Sequence, residues 1–208
     1  MRPGWLALLK LVASDQKRRV LSFDIENRPL SYWYGDVTTS EITAIAWSWN
    51  NPKQVEVRAL PEVRPEEMLA EFRDVYESAD LVTGHYIRRH DLPLVNAGLI
   101  EYGLAPLPSK KTSDTKLDLV RRAGQPATLE HLGTMLGIEV PKFGMSQQMW
   151  REANRLDNPE AIAYTKKRVS TDVILQILVR NELHRLKLLK APSVWNSVPG
   201  GIIGYEAE

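Results

Sequence analysis

The 208-residue sequence contains no cysteine. This absence excludes a disulfide framework, a thiolate metal site and a cysteine nucleophile, and it suits a reducing cytosol. The sequence also lacks a long apolar run, because Lys10 interrupts the N-terminal apolar stretch, which is too short to span a bilayer. Lys and Arg total 27 against 26 Asp and Glu, so the net charge by itself indicates no polyanionic partner.

The length and the 43% hydrophobic content suit one compact domain with appended termini. We predict an N-terminal amphipathic extension over residues 1–18, since the apolar residues at 5, 8, 9 and 12 have helical spacing. This helix either docks on the domain or contacts a partner. The domain itself is predicted over residues 19–190. A C-terminal extended arm is predicted over residues 191–208, which contain Pro and Gly and no helical pattern.

The hydrophobic pattern predicts three strands, a helix, a strand, a helix, a mixed strand and loop, and then helices. The predicted ranges in this order are 18–26, 41–50, 54–60, 65–79, 80–86, 91–104, 110–120, 128–137, 145–155 and 158–189. Such an order indicates an α/β domain in which the first three strands form an antiparallel meander and helices pack on a mixed sheet.

Acidic side chains occur at three separated places that have the potential to bind a metal. In a strand, residues two apart point the same way, so Asp24 and Glu26 of "FDIE" share one face, where two like charges cost free energy unless a cation joins them. Asp91 follows the fourth strand, and Asp172 lies inside the long helix. Each acid alone has an ordinary explanation, such as a solvated strand, a helix cap or a solvated helix face. Together they suit a hard, oxygen-seeking cation.

These segments resemble the three exonuclease motifs of the DnaQ-like, or DEDD, 3′–5′ exonuclease superfamily. The matching stretches are "FDIE", "TGHYIRRHDLPLV" and "RVSTDV", and the resemblance covers roughly residues 19–185. It is closest to the proofreading domains of family B DNA polymerases and to stand-alone phage exonucleases. It implies a ribonuclease H-like fold and two divalent metal ions, Mg²⁺ or Mn²⁺. The metal-binding acids that it implies are Asp24, Glu26, Asp91 and Asp172.

The resemblance also implies partners and a place in the cell. The expected substrate is nucleic acid, in particular single-stranded DNA or 3′ ends, in replication, repair or nucleotide recycling. A DNA polymerase or another replication protein is a possible partner, and no membrane is expected. The expected compartment is the cytoplasm of a bacterial or phage-infected cell.

The third motif departs from the family pattern. The family places a Tyr four residues before the last Asp, or a His five residues before it, whereas this sequence has Arg168 and Lys167 there. Arg168 precedes Asp172 by one helical turn and is expected to point into the site. It stays protonated, so it cannot act as a base, but it can bind the scissile phosphate or stabilise negative charge. His85 and His90 are alternative groups to orient water.

Substrate contacts are predicted beside these motifs. The aromatic residues that follow the first motif can stack on unpaired bases, and cations near the second motif can contact phosphates without reading base sequence. The predicted residues are Tyr32, Trp33, Tyr86, Arg88, Arg89, His90 and Lys167. The sequence leaves open an exoribonuclease of the same fold, and a non-catalytic module that binds nucleic acid or a polymerase.

Overall fold

A computed structural model describes residues 18–29, 40–120 and 128–197. Three predictions therefore lie outside or extend beyond the described residues: the two terminal segments and the stacking residues. The N-terminal extension falls within residues 1–17, apart from its last residue. The predicted stacking residues Tyr32 and Trp33 fall within residues 30–39, and most of the C-terminal arm falls within residues 198–208.

One mixed sheet of six strands forms the centre of the described fold, in the order β3-β2-β1-β4-β5-β6. β1, β2 and β3 pair antiparallel, β1, β4 and β5 pair parallel, and β6 pairs antiparallel with β5. The strands are β1 (Val20–Pro29), β2 (Ser40–Ser48), β3 (Glu56–Ala59), β4 (Leu81–Gly84), β5 (Lys110–Asp114) and β6 (Ser193–Trp195). The predicted mixed sheet with an antiparallel first meander is confirmed.

Helices cover both faces of this sheet. They are α1 (Pro65–Glu77), α2 (Asp91–Glu101), α3 (Leu129–Met135), α4 (Gln147–Arg155) and α5 (Pro159–Arg185). The core on one face joins β1 and β2 to α1 and α2, and the core on the other face joins β2 to α4 and α5. The α/β class and the ribonuclease H-like arrangement of a mixed sheet flanked by helices are therefore confirmed.

The pattern of β1 decides which face carries the acids. Leu21, Phe23 and Ile25 are buried in the core beneath α1 and α2. Asp24 and Glu26, which alternate with Phe23 and Ile25, must then face the opposite side, where α5 packs. Their partners across the antiparallel pair are small, Ala46 for Asp24 and Ala44 for Glu26, so α5 can approach the sheet closely there.

The long helix α5 begins where its sequence signals predict. Asn158 accepts hydrogen bonds through its side chain from the backbone N–H groups of Glu160 and Ala161, and Pro159 occupies the first helical turn. Val169, Val173 and Ile177, spaced four residues apart, are buried against the alanines of β2. This spacing fixes the rotation of α5, and with it the direction of the polar residues between them.

Two further features concern β4 and one edge of the sheet. A Cβ atom on Gly84 would come within 2.4 Å of Ile87 Cγ2 and 2.9 Å of the Phe23 carbonyl oxygen, so the end of β4 needs glycine to approach β1. At one edge of the sheet, Ser193–Trp195 pair with β5 as a strand. The sequence predicts only extended chain there, because a three-residue strand has too short a pattern to recognise.

In the part of the chain that is described, no helix has both the length and the apolar character that crossing a bilayer requires.

Candidate active site

Three carboxylates from two distant segments converge where β1 faces α5. One carboxylate oxygen from each of Asp24, Glu26 and Asp172 lies within 4.8 Å of the other two. Oxygen ligands of this kind suit Mg²⁺ and Mn²⁺, so the donor set fits the metal that the resemblance implies. This convergence of the three carboxylates requires both the alternation of side chains along β1 and the rotation of α5 about its axis.

Burial and mutual repulsion make the ionised form of this group costly. Burial raises the pKa of Asp24 well above its usual value, and the charges of Asp91, Asp172 and Glu26 raise it further. Burial also raises the pKa of Asp172 to about 6, although the nearby Arg168 guanidinium opposes this. Burial likewise raises the pKa of Glu26, with Arg168 again opposing. A divalent cation among these carboxylates would relieve that cost.

Arg168 points into the group, as its position one turn before Asp172 leads us to expect. Its Nε donates a hydrogen bond of 2.6 Å to Glu26 Oε1, and one terminal nitrogen donates to the Phe143 carbonyl oxygen at 3.0 Å. The guanidinium therefore neutralises part of the carboxylate charge. It also connects α5 to β1 and to the segment that precedes α4.

Gln176 is a site residue that sequence reasoning missed. Its side chain is buried, and its Nε2 donates a hydrogen bond of 2.9 Å to Asp24 Oδ1. This bond orients the Asp24 carboxylate and lowers its pKa somewhat against the effect of burial. The available signal is spacing, because a polar residue four positions after Asp172 lies on the same helix face.

Asp91 approaches the site from a third segment. It is the first residue of α2 and is buried, and its Oδ2 lies 3.4 Å from His90 Nδ1. It is not part of the group of three, but after burial its charge contributes most to the raised pKa of Asp24. Burial raises the pKa of Asp91 itself, and the hydrogen bond to Asp91 raises the pKa of His90. The fourth acid is thus electrostatically coupled to the cluster.

The loop between β4 and α2 is held by a buried acid that sequence reasoning also missed. Asp114, at the end of β5, accepts hydrogen bonds from four backbone N–H groups: those of Tyr86, Arg88, Lys116 and Leu117. Asp118 in turn accepts from the Asp114 N–H at 2.8 Å. Because β4 and β5 are parallel neighbours, their carboxyl ends meet, which is the available signal. This network sets the path of the chain that leads to Asp91.

The predicted substrate residues around the second motif do not line the cleft above the three acids. Arg88 forms an ion pair with Asp118 and a hydrogen bond with Ser193 Oγ. Lys116 Nζ lies 4.0 Å from the ring centroid of Tyr86, which has a left-handed backbone conformation (φ 68°). Arg89 and His90 are exposed.

Lys167 is also exposed, and its Nζ lies 4.3 Å from the centroid of the Phe143 ring. It therefore lies beside the cleft rather than in its lining. Arg168, four positions before Asp172, therefore turns into the site. Lys167, five positions before Asp172, instead covers the Phe143 ring.

The cleft that opens onto the three acids has a volume of about 280 Å³. Besides the acids, Arg168 and Gln176 line it, and so do the side chains of Lys116, His85 and Glu130. His85 Nδ1 lies 2.9 Å from Thr115 Oγ1. Glu130 pairs with Lys142 at 3.1 Å. The cleft therefore combines an acidic floor with cations on its walls, an arrangement that suits a phosphodiester held above a metal.

We predict that divalent metal raises the melting temperature more at a pH of about 8 than at about 5. A folded-state pKa of about 6 for Asp172, above its ordinary 3.8, means that the folded protein retains protons that the unfolded chain releases. The contribution of the Asp172 carboxyl to the free energy of unfolding is therefore fully present at low pH, and it is lost as the pH rises through about 6. Bound Mn²⁺ restores it at high pH, whereas protons compete at low pH.

Thermal denaturation in EDTA and in millimolar Mn²⁺ at both pH values measures this effect. Asp172→Asn is the matched variant and should flatten both the pH dependence and the response to metal. Equal shifts by Mn²⁺ in Asp172→Asn and in the unaltered protein would contradict the assignment.

Comparison with solved structures shows the same fold in other proteins, including a DNA polymerase and a ribonuclease. The family B DNA polymerase from the archaeon Pyrobaculum calidifontis matches 80% of this chain with a TM-score of 0.59 and 15% identity. RNase D of Trypanosoma brucei matches 85% of this chain with a TM-score of 0.55 and 12% identity. This chain spans 24% of the polymerase and 61% of the RNase D chain. No protein-family model and no curated protein sequence matches.

Proposed function

We propose that this chain is a DnaQ-like, metal-dependent 3′–5′ exonuclease that hydrolyses phosphodiester bonds at nucleic-acid 3′ ends, with single-stranded DNA as its substrate. The observation that carries the proposal is the convergence of Asp24, Glu26 and Asp172 within 4.8 Å of one another. The three motifs in the sequence support it. The two solved structures compared above, a DNA polymerase and RNase D, are by their names proteins of nucleic-acid metabolism.

Asp24, Glu26 and Asp172 would hold a divalent ion, and Asp91, whose charge raises the pKa of Asp24, would help to hold a second. When bound, such ions would supply an activated water and would stabilise the leaving oxygen of the phosphodiester. The hydrogen bond from Gln176 holds the Asp24 carboxylate in one orientation, which limits the rearrangement that metal binding requires.

Arg168 takes the role that charge and position allow. Its guanidinium is at the cleft wall beside Glu26, where it can donate to an oxygen of the scissile phosphate and stabilise the charge that develops there. It does not accept a proton. Lys116, which also lines the cleft, supplies a second positive charge for the phosphate.

A non-catalytic binding module is the second candidate, and one observation favours it. The Arg168 guanidinium already binds a carboxylate oxygen of Glu26 at 2.6 Å. A metal ion held by Glu26 would need that oxygen as a ligand. The structural likeness to RNase D favours an exoribonuclease of the same fold. One digestion experiment separates these possibilities from the proposed function.

The test is gel-resolved digestion of 5′-labelled single-stranded and duplex DNA and RNA of matched sequence, in Mg²⁺, in Mn²⁺ and in EDTA. We expect stepwise shortening of single-stranded DNA from the 3′ end with either metal and none in EDTA. Faster shortening of RNA would replace DNA by RNA in the proposal. Binding that persists in EDTA, without release of nucleotides in Mn²⁺, would establish the non-catalytic module instead.

A further inference from the structure

A second groove adjoins the acidic cleft, between the end of β1 and one face of α4. Its volume is about 340 Å³, within the usual range for pockets that hold small ligands. The residues that line it are cationic, aromatic or amide-bearing: Asn27, Arg28, Gln147, Trp150, Arg151, Asn154 and Arg155. We call this surface the α4 groove.

The α4 groove arises from the amphipathic division of a short helix. Positions 147, 150, 151, 154 and 155 of α4 are spaced three and four apart, so they form one face. Ala153, on another face, is buried against α5. The sequence therefore presents a Trp and two Arg side chains outward while a small residue anchors the helix.

The arginines and the indole ring of this groove suit a polyanion that also carries planar bases. Three guanidinium groups line it, and none of the described residues that line it carries a carboxylate. Arg28 pairs with Glu41 from outside the groove at 2.6 Å. Arg151 is exposed and makes no ion pair with any residue of the described ranges. Arginines contact phosphates, and an indole ring offers a stacking surface to any unpaired base.

Neighbouring residues link the α4 groove to the acidic cleft, although no residue lines both. Asn27 and Arg28 follow Glu26 along β1. The Arg168 guanidinium, which donates to Glu26, also lies 5.7 Å from the centroid of the Trp150 ring, a cation–π distance. Arg168 thus stands at the boundary between the two surfaces. A strand with its terminal phosphodiester over the three acids would pass this boundary into the groove.

From these contacts we propose that the α4 groove binds the single-stranded polynucleotide next to its 3′ end. Trp150 stacks on a base, and Arg151, with Arg28 and Arg155, contacts the backbone phosphates. The proposal rests on the proposed function, because it takes the acidic cleft as the place where the strand ends. Its test, however, measures binding without metal and therefore without cleavage.

The experiment measures fluorescence anisotropy of a labelled oligothymidylate of about 20 nucleotides with the full chain in EDTA. Arg151→Glu should weaken binding by about tenfold and lower the slope of log affinity against log salt by about 1. Trp150→Ala should also weaken binding by about tenfold, whereas Trp150→Phe should retain most of the affinity. Circular dichroism confirms that each variant is folded.

Lys53→Glu is the charge-matched control. Lys53 is exposed in the turn between β2 and β3. This turn comes after Ser48, the last residue of β2, which pairs with Ser22 near the start of β1. This turn is therefore at the opposite end of β1 from the groove. Equal losses in Lys53→Glu and Arg151→Glu would overturn the proposal, because they would show that net charge alone matters.

Further arms use a matched oligouridylate and a DNA duplex. Tight binding of both single strands, with the same dependence on Trp150, supports a groove that accepts either sugar. Binding of the duplex that equals the single strands would overturn the stacking role, since paired bases cannot reach the ring. If the groove variants lose binding while the unaltered protein releases no nucleotide in Mn²⁺, the proposed exonuclease function fails and the groove assignment stands.

Discussion

Replacing Asp24 by Asn is expected to reduce 3′-end cleavage by about a thousandfold or more. The substitution keeps the size of the side chain and an oxygen that can still accept from Gln176, but it removes one unit of negative charge from the carboxylates that would hold the metal. A metal contributes several kcal/mol to such a reaction, and each 1.36 kcal/mol corresponds to about tenfold in rate. Digestion of 5′-labelled single-stranded DNA in Mg²⁺ and in Mn²⁺ measures the loss.

The same variant should be more stable than the unaltered protein in EDTA. Burial is the largest cause of the raised pKa of Asp24, and the charges of three other acids raise it further, so its ionised form destabilises the folded metal-free protein at neutral pH. The melting temperature of Asp24→Asn should therefore rise in EDTA and gain less on addition of Mn²⁺. Such a result separates loss of a ligand from loss of the fold.

Asp74→Asn is the matched control for Asp24→Asn. Asp74 is exposed on α1, which packs on the other face of the sheet from the acids. It should leave both the cleavage rate and the response to metal unchanged. Wild-type cleavage by Asp24→Asn would refute the assignment of the site.

Replacing Arg168 by Ala is expected to slow cleavage by about a hundredfold without weakening metal binding. Loss of one well-placed donor to a developing negative charge has an effect of roughly this size. At the same time the guanidinium no longer competes for Glu26, which it contacts at 2.6 Å. Rates on a labelled oligonucleotide, together with titration of Mn²⁺ followed by melting temperature, measure the two effects separately.

Arg168→Lys is the informative companion variant. Lysine keeps the positive charge but lacks the planar fork that reaches two acceptors, such as Glu26 and the Phe143 carbonyl. We expect a rate between those of Arg168→Ala and the unaltered protein. A faster rate in Arg168→Ala would contradict the catalytic role and show that the guanidinium obstructs the metal.

Local patterns were sufficient to predict most of the elements and the three acids in the group. Strand alternation determines that Asp24 and Glu26 share a face, and helical spacing determines that Arg168 and Asp172 share one, because both relations depend on neighbours along the chain. The strands and helices found at these positions confirm the predicted α/β fold.

Spacing along the chain does not predict which long-range partner a side chain selects. Arg88 is predicted to contact phosphate, yet it pairs with Asp118, thirty positions away. Asp114 attracts no attention in the sequence, yet it holds the loop that leads to Asp91 by accepting from Tyr86 and Arg88. Both relations depend on the parallel pairing of β4 with β5.

The sequence by itself determined the order of the elements, the faces of β1 and α5, and the acidic residues that those faces carry. The reason is that these properties follow from side-chain periodicity over a few residues. Only the tertiary structure decided that Arg168 meets Glu26, that Gln176 meets Asp24, and that α4 presents a groove beside them. Such contacts join residues more than a hundred positions apart, so they exist only once sheet order and helix packing bring those residues together.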